Sequence, residues 1–328
     1  MKKHFDVESR GKKAVLRAVD GVSLELPRGE TLGIVGESGC GKSTLARLIV
    51  GLTKPTEGRI LAHGGDIWAA GKEGRARRAH FQMVFQNPAG SMNPRRTVGA
   101  SVAEPLQAKG VRRTDAAVAE MMARVGLNPA LAVRRPHQLS GGQQQRASIA
   151  RALIASPTLV VHDESIASLD ISLQAQILNL LLDLQRDLGT SYLFISHDLA
   201  AVQTISHRIA VMYLGEVVEA TTAEEFARQP RHPYSLSLRS ATLLPDPERE
   251  RNRPNVLLQG DVPSPLNPPA ACRFHTRCPL ATDRCRSEKP ALRDIGGNHL
   301  VSCHFPEAAA ALGGAPAADV AESLRCGN

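Results

Sequence analysis

The chain has 328 residues, 42% hydrophobic and 22% charged, enough for one large soluble domain with a smaller appendage. No apolar run approaches the roughly 18 residues that span a bilayer, and Met1-Lys2-Lys3-His4-Phe5-Asp6 offers no secretory signal, so a cytosolic location is expected. The formal net charge of +8 invites a nucleic-acid reading. Its basic residues are scattered pairs such as Arg77-Arg78 and Arg134-Arg135 with no RNA- or DNA-binding motif, and a solvated face or weak attraction to anionic lipid explains them as well.

In chain order, residues 14–26 read as strands with a turn at Asp20-Gly21, and Thr31-Leu32-Gly33-Ile34-Val35 as a buried strand. That strand feeds Gly36-Glu37-Ser38-Gly39-Cys40-Gly41-Lys42-Ser43-Thr44, which matches the phosphate-binding loop G-x-x-x-x-G-K-[ST]. The glycines let backbone N–H groups wrap an anion, and the apolar-faced helix after the loop, which stops at Gly51, adds the partial positive charge of its N-terminus. Lys42 is placed to reach terminal phosphates and the Ser43 hydroxyl to ligate Mg²⁺.

Further on, a short strand at 59–61 and Gly64-Gly65-Asp66 suit a hairpin, and Gln82-Met83-Val84-Phe85 is a strand ending at Gln86-Asn87-Pro88. Residues 98–155 look helical, broken at Lys109-Gly110 and Asn128-Pro129. Thr158-Leu159-Val160-Val161 is a continuous apolar strand of the kind buried on both faces of a parallel sheet. It delivers Asp163 and Glu164 to its carboxyl end, where open α/β sheets bind ligands: Asp163 to hold Mg²⁺, Glu164 as the base that polarises water. Leu173, Ile177, Leu180, Leu181, Leu184 and Leu188 recur at helical spacing over 172–188, before a buried strand at 191–195. Strand and helix alternate, which implies an α/β fold.

Leu139-Ser140-Gly141-Gly142-Gln143, continued by Gln144-Gln145-Arg146, resembles the signature sequence of ATP-binding cassette (ABC) ATPases, placed as a loop that opens a helix. With the phosphate loop and the Asp163-Glu164 pair, it makes residues 1–235 similar to an ABC ATPase domain. The resemblance implies a phosphate-loop NTPase fold with a RecA-like core, an antiparallel β subdomain and a helical subdomain, and ATP with Mg²⁺ as its ligands. It implies that Ser140, Gly141, Gly142 and Gln143 cap the γ-phosphate held by a partner's phosphate loop. Ser168-Leu169-Asp170 resembles the D-loop that crosses the dimer interface, and His197 in Ile195-Ser196-His197-Asp198 the switch histidine on the γ-phosphate. Gln86 resembles the Q-loop glutamine that senses Mg²⁺ and water, with residues 87–97 facing membrane subunits. Phe5 resembles the residue that stacks on adenine; otherwise it is a frayed terminal residue. The family usually continues Asp-Glu-Pro-Thr, whereas this chain has Asp-Glu-Ser165-Ile166; the missing proline alters loop stiffness without removing a reactive group.

Phe85-Gln86-Asn87-Pro88, Ser91-Met92-Asn93-Pro94-Arg95, His232-Pro233-Tyr234 and a Pro/Cys-rich extension resemble the oligopeptide/dipeptide importer branch; nickel and some oligosaccharide importers share that architecture. The resemblance implies a peripheral subunit on the cytoplasmic face of the membrane. Its partners would be a second ATPase subunit, identical or a paralogue, two permease subunits and an extracytoplasmic binding protein. The expected organisation is a linker at 236–259, a Cys-rich extension at 260–306 and a disordered tail at 307–328. The extension has too few large apolar residues for a core of its own, so a metal staple is expected in a reducing cytosol. Cys272, Cys278, Cys285 and Cys303 suit a [4Fe–4S] cluster, zinc or no metal, short C-x2-C knuckles being absent. Cys326 reads as a bystander. Lying outside every nucleotide motif, the extension is expected to be structural or redox-sensing.

Overall fold

The computed structural model describes residues 1–9, 11–241 and 260–312. Residues 242–259 of the expected linker and Cys326 fall outside the described residues. An antiparallel hairpin, β1 (Lys2–Ser9) and β2 (Lys12–Asp20), opens the chain. β3 (Thr31–Val35) leads through the phosphate loop into α1 (Lys42–Ile49). The expected hairpin at 59–66 is a small ladder of β4 (Leu61–Ala62) and β5 (Gly65–Asp66). α2 (Lys72–Arg78), β6 (Phe81–Val84) and α3 (Pro88–Ser91) follow.

The helical region comprises α4 (Val98–Ala108), α5 (Asp115–Arg124) and α6 (Gly141–Leu153), with two 3-10 turns between the last two. β7 (Leu159–Asp163), α7 (Ile171–Leu188), β8 (Ser191–Ile195), α8 (Leu199–Ile205), β9 (Arg208–Tyr213), β10 (Glu216–Thr222), α9 (Ala223–Arg228) and α10 (Pro233–Ser240) complete the main body. α7 runs close to its sequence-predicted bounds because both ends are capped. Asp170 accepts from the Leu173 N–H, and Gly189 takes the left-handed conformation after the last turn.

β6, β7, β8, β3 and β9 lie side by side and parallel, in that order. Successive residues alternate between two cores, as strand geometry demands. On β8, Tyr192 and Phe194 enter the core beneath the helices α4–α8, while Leu193 and Ile195 enter the one shared with α1 and β2. β3, β6, β7 and β8 therefore end at one edge, on adjacent strands.

The extension is not a separate appendage. β11 (Arg293–Asp294) and β12 (Leu300–Val301) prolong the sheet, with β12 pairing antiparallel to β10. Phe274 is buried in the main core with Cys272 and Cys278 packed against it, and Leu280 shares a small cluster with Leu236 of α10. A segment poor in apolar residues thus docks by borrowing the cassette's surface, and the five described cysteines are free thiols. The stretch expected as linker from 236 begins inside α10, and the tail expected to be disordered starts as a helix at Pro306–Leu312.

Candidate active site

Gly41 caps α1 with φ +108, and a Cβ there would meet the Ala18 carbonyl at 2.1 Å, so the β1–β2 hairpin lies directly against the phosphate loop. This closeness and the positive φ both require glycine. The buried Lys42 ammonium donates to the Gly36 and Glu37 carbonyls at 2.7 and 2.9 Å, carbonyl oxygens that occupy the place of phosphate oxygens as its acceptors. Ser38, Gly39 and Cys40 form the turn between, where the Cys40 N–H bonds the Glu37 carbonyl; burial pushes the Cys40 thiol up. Thr44 follows Ser43 in the first turn of α1. Phe5 is not frayed: it pairs with Leu16 in the hairpin, under the Lys3 ammonium at 4.9 Å from its ring centre.

Ser43 Oγ donates to Asp163 Oδ1 at 3.0 Å, which joins the loop to the end of β7. Burial pushes the Asp163 carboxyl up and the Ser43 hydrogen bond opposes it. A buried carboxylate beside a hydroxyl is a hard-oxygen donor pair that fits Mg²⁺. Glu164 next to it has φ +50, a conformation uncommon for a residue with a side chain, and its N–H is tied to the Ile195 carbonyl at 2.9 Å. Gln86 Nε2, beyond β6, donates to Glu164 Oε2 at 3.0 Å. His197 Nδ1, beyond β8, lies 3.9 Å from the same oxygen, too long for a hydrogen bond. Gln86, Glu164 and His197 thus converge from the ends of three adjacent strands.

The signature loop stands apart. Ser140 caps α6 in a box with Gln143: the Gln143 N–H bonds Ser140 Oγ at 3.3 Å and the Ser140 N–H bonds Gln143 Oε1 at 3.0 Å. Ser140, Gly141, Gly142 and Gln143 line an open cavity of about 850 Å³ with Arg146, Ser168 and Asp170. No residue of the phosphate loop, and none of Gln86, Asp163, Glu164 and His197, lines it.

The family model described as "ABC transporter" matches residues 19–167, and the one described as "Oligopeptide/dipeptide transporter, C-terminal region" matches residues 218–285. The chain is 48% identical over 323 residues to a probable peptide ABC transporter ATP-binding protein of Sinorhizobium fredii, covering 96% of this chain and 91% of that protein. It is 49% identical over 314 residues to the oligopeptide transport ATP-binding protein OppF of Salmonella typhimurium, covering 92% and 93%. The chain belongs to the ATP-binding subunits of ABC transporters. A dimeric post-hydrolysis structure of the ATP-binding cassette MJ0796, bound to ADP and Pi, is similar at TM-score 0.60 and 29% identity, covering 68% of this chain and 96% of that one. The expected α/β cassette fold and the ATPase activity stand.

In this ABC ATPase several side chains beyond the motifs support the site. His162 is fully buried, held to about 3 by burial and therefore neutral, and its Nδ1 lies 3.3 Å from the buried Ser165 hydroxyl. It packs edge-on to Tyr192. A polar residue in an apolar strand was the one sequence signal for it. Tyr234 accepts the Glu37 N–H at 2.7 Å, and Arg277 forks onto the Glu37 carboxylate at 2.8 and 3.0 Å. The extension therefore touches the nucleotide loop, contrary to its expected separation from every nucleotide motif. Cys272, Cys278, Cys285 and Cys303 lie near enough to influence one another, and burial pushes Cys272 up to about 11, Cys303 to about 12 and Cys278 up as well. Among the described residues no group of three or more His, Cys, Asp or Glu is arranged to hold a metal.

Proposed function

We propose that this ATPase drives an importer of peptides, working on the cytoplasmic face of the membrane with two permease subunits, a second ATPase subunit and an extracytoplasmic binding protein. Support comes from the relatives of Sinorhizobium and Salmonella, both named as peptide or oligopeptide transport proteins, and from the match of residues 218–285 to the oligopeptide/dipeptide transporter C-terminal region. Among the described residues no helix is long and apolar enough to cross a membrane, in keeping with a subunit that works through others. Recovery of the chain from detergent-solubilised membranes with two permeases and an ATPase is the expected result. Recovery with ribosomes or nucleic acid instead would overturn the reading.

The observation that carries the mechanism is the convergence of Gln86 and His197 on Glu164, two strands from the loop that carries Lys42 and Ser43. Glu164 accepts the proton of the attacking water, with Gln86 and His197 fixing where that water sits. Lys42, with the N–H groups of Gly36, Ser38, Gly39, Gly41, Ser43 and Thr44 about it, holds the phosphates, while Glu37 and Cys40, whose N–H groups are bonded to Tyr234 and to the Glu37 carbonyl, shape the loop; Phe5 offers a flat face for adenine. Ser43, Asp163 and Gln86 would hold Mg²⁺, which supplies neutralising charge to the phosphates. Ser140, Gly141, Gly142, Gln143 and Asp170 act on the nucleotide of the facing chain, since their cavity excludes this chain's own loop. Closure of the two chains on ATP then moves the permeases, and hydrolysis resets them.

Cys272, Cys278, Cys285 and Cys303 remain the candidate ligands of one [4Fe–4S] cluster, or of zinc. Four neighbouring thiols support this; binding would require the side chains to rearrange and lose their protons. Anaerobic purification is expected to give about four iron and four sulfide per chain, as one Cys₄-held cluster requires. Stoichiometric zinc would replace that reading, and four free thiols with no metal would end both.

A further inference from the structure

We infer that the C-terminal extension positions the phosphate loop for ATP, with Arg277 as the positioning residue and Glu37 as its point of contact. Glu37 is held at every polar group it has. Its N–H bonds the Tyr234 hydroxyl at 2.7 Å, its carbonyl accepts from Lys42 at 2.9 Å, and its carboxylate takes both guanidinium arms of Arg277 at 2.8 and 3.0 Å. Two-armed arginine–carboxylate pairs are strong and geometrically demanding. Here the Arg277 side chain is buried at 8% exposed and Glu37 is half-buried at 30%, so solvent screens the pair only in part. Hydrogen bonding to Glu37 holds the guanidinium more firmly protonated than usual.

Arg277 is also rigidly mounted. Its N–H closes a turn on the Phe274 carbonyl. The Phe274 ring meets those of Tyr213 and Tyr234 at 5.2 and 5.5 Å, so the arginine and the tyrosine that grip Glu37 stand on one aromatic cluster. Arg273, four residues before Arg277, pairs with Asp20 at the end of β2 and with Glu216 of β10. The extension thus also grips β2 and β10.

Two consequences favour ATP. The loop is glycine-rich, and ordering it beforehand removes an entropic cost from nucleotide binding. A carboxylate within the phosphate loop repels an incoming polyphosphate, and Arg277 cancels that charge. Linkage makes the effect mutual: if a docked extension favours ATP, bound ATP favours the docked extension.

The test is a cycle of R277Q and E37Q in the full chain, with ATP affinity measured by titration calorimetry in Mg²⁺. R277Q is expected to raise the ATP Kd about tenfold, equivalent to about 1.4 kcal/mol, and to cost much less when E37Q is already present. An effect of equal size in both backgrounds, or none in the wild-type background, overturns the inference. The second readout keeps the test valid if R277Q folds poorly, because Glu37 lies outside the extension. ATP should slow limited proteolysis of residues 260–312 in the wild type and lose that protection in E37Q. Protection that persists undiminished in E37Q overturns the inference as well.

Discussion

The two halves of the nucleotide site are built differently. On the phosphate side the polar groups already satisfy one another: Lys42 bonds loop carbonyls, Ser43 bonds Asp163 and Gln86 bonds Glu164. Behind them stand buried supports, His162, Tyr234 and the extension. On the signature side, the side chains of Ser140 and Gln143 cap each other's N–H groups at the mouth of an open cavity with Asp170. The first half is pre-organised by its own chain. The second presents a helix N-terminus at a cavity that none of Lys42, Gln86, Asp163, Glu164 and His197 lines. The asymmetry is what the proposed two-chain site requires, with one chain supplying the chemistry and its neighbour the cap.

The sharpest way to break this comparison is at Glu164. E164Q keeps the shape and removes the base, so turnover should fall about 10²–10⁴-fold while ATP affinity holds. ATPase assays with the partner present check this; equal rates would remove Glu164 from the mechanism and leave the phosphate side as a binding cradle.

A smaller effect concerns His232, whose Nδ1 accepts the Tyr234 N–H at the start of α10 and so helps place the hydroxyl that grips Glu37. Burial pushes this imidazole down to about 4, with Glu219 opposing. The folded state thus keeps it neutral while the unfolded chain protonates near its ordinary 6.5. Its stabilising contribution is full above that value and is lost as pH falls towards 4. Between pH 7 and 5 the wild type should lose on the order of 2 kcal/mol more stability than H232N, whose amide oxygen still caps the helix. Denaturant unfolding at the two pH values measures it, and parallel losses in both proteins would contradict the assignment.

The smallest effect is at Ser165, where the resemblance leads one to expect proline. The His162–Ser165 hydrogen bond holds the turn that carries Glu164 at φ +50. S165A removes that hydrogen bond and should cost about 1 kcal/mol of stability, the net worth of one neutral hydrogen bond. Thermal unfolding checks it, and an unchanged midpoint would show that the turn is held by its backbone alone.

Much of the phosphate side was legible because local rules write it. Apolar runs marked β3, β7 and β8, glycines and Lys42-Ser43 marked the loop, and each proposed catalytic residue followed a strand end. The β1 and β9–β10 strands were not read: Lys2–Ser9 is largely polar, and Arg208–Tyr213 is a short apolar run with no motif attached. The place of the extension was illegible for a different reason. Glu37 and Arg277 are 240 residues apart, and no periodicity or turn rule joins two such charges. A segment that borrows its core from another surface leaves no hydrophobic pattern of its own, so the sequence shows an appendage where the fold has a buttress.

The division of labour between the two halves is tested most directly by ATPase activity in mixtures of two variants, S140R and E164Q. Each alone should be nearly inactive, the first for want of a cap and the second for want of a base. In a mixed dimer the intact Glu164 of the S140R chain faces the intact signature loop of the E164Q chain, and activity should return. Mixed dimers confirmed by mass that show no activity at any ratio would contradict the account.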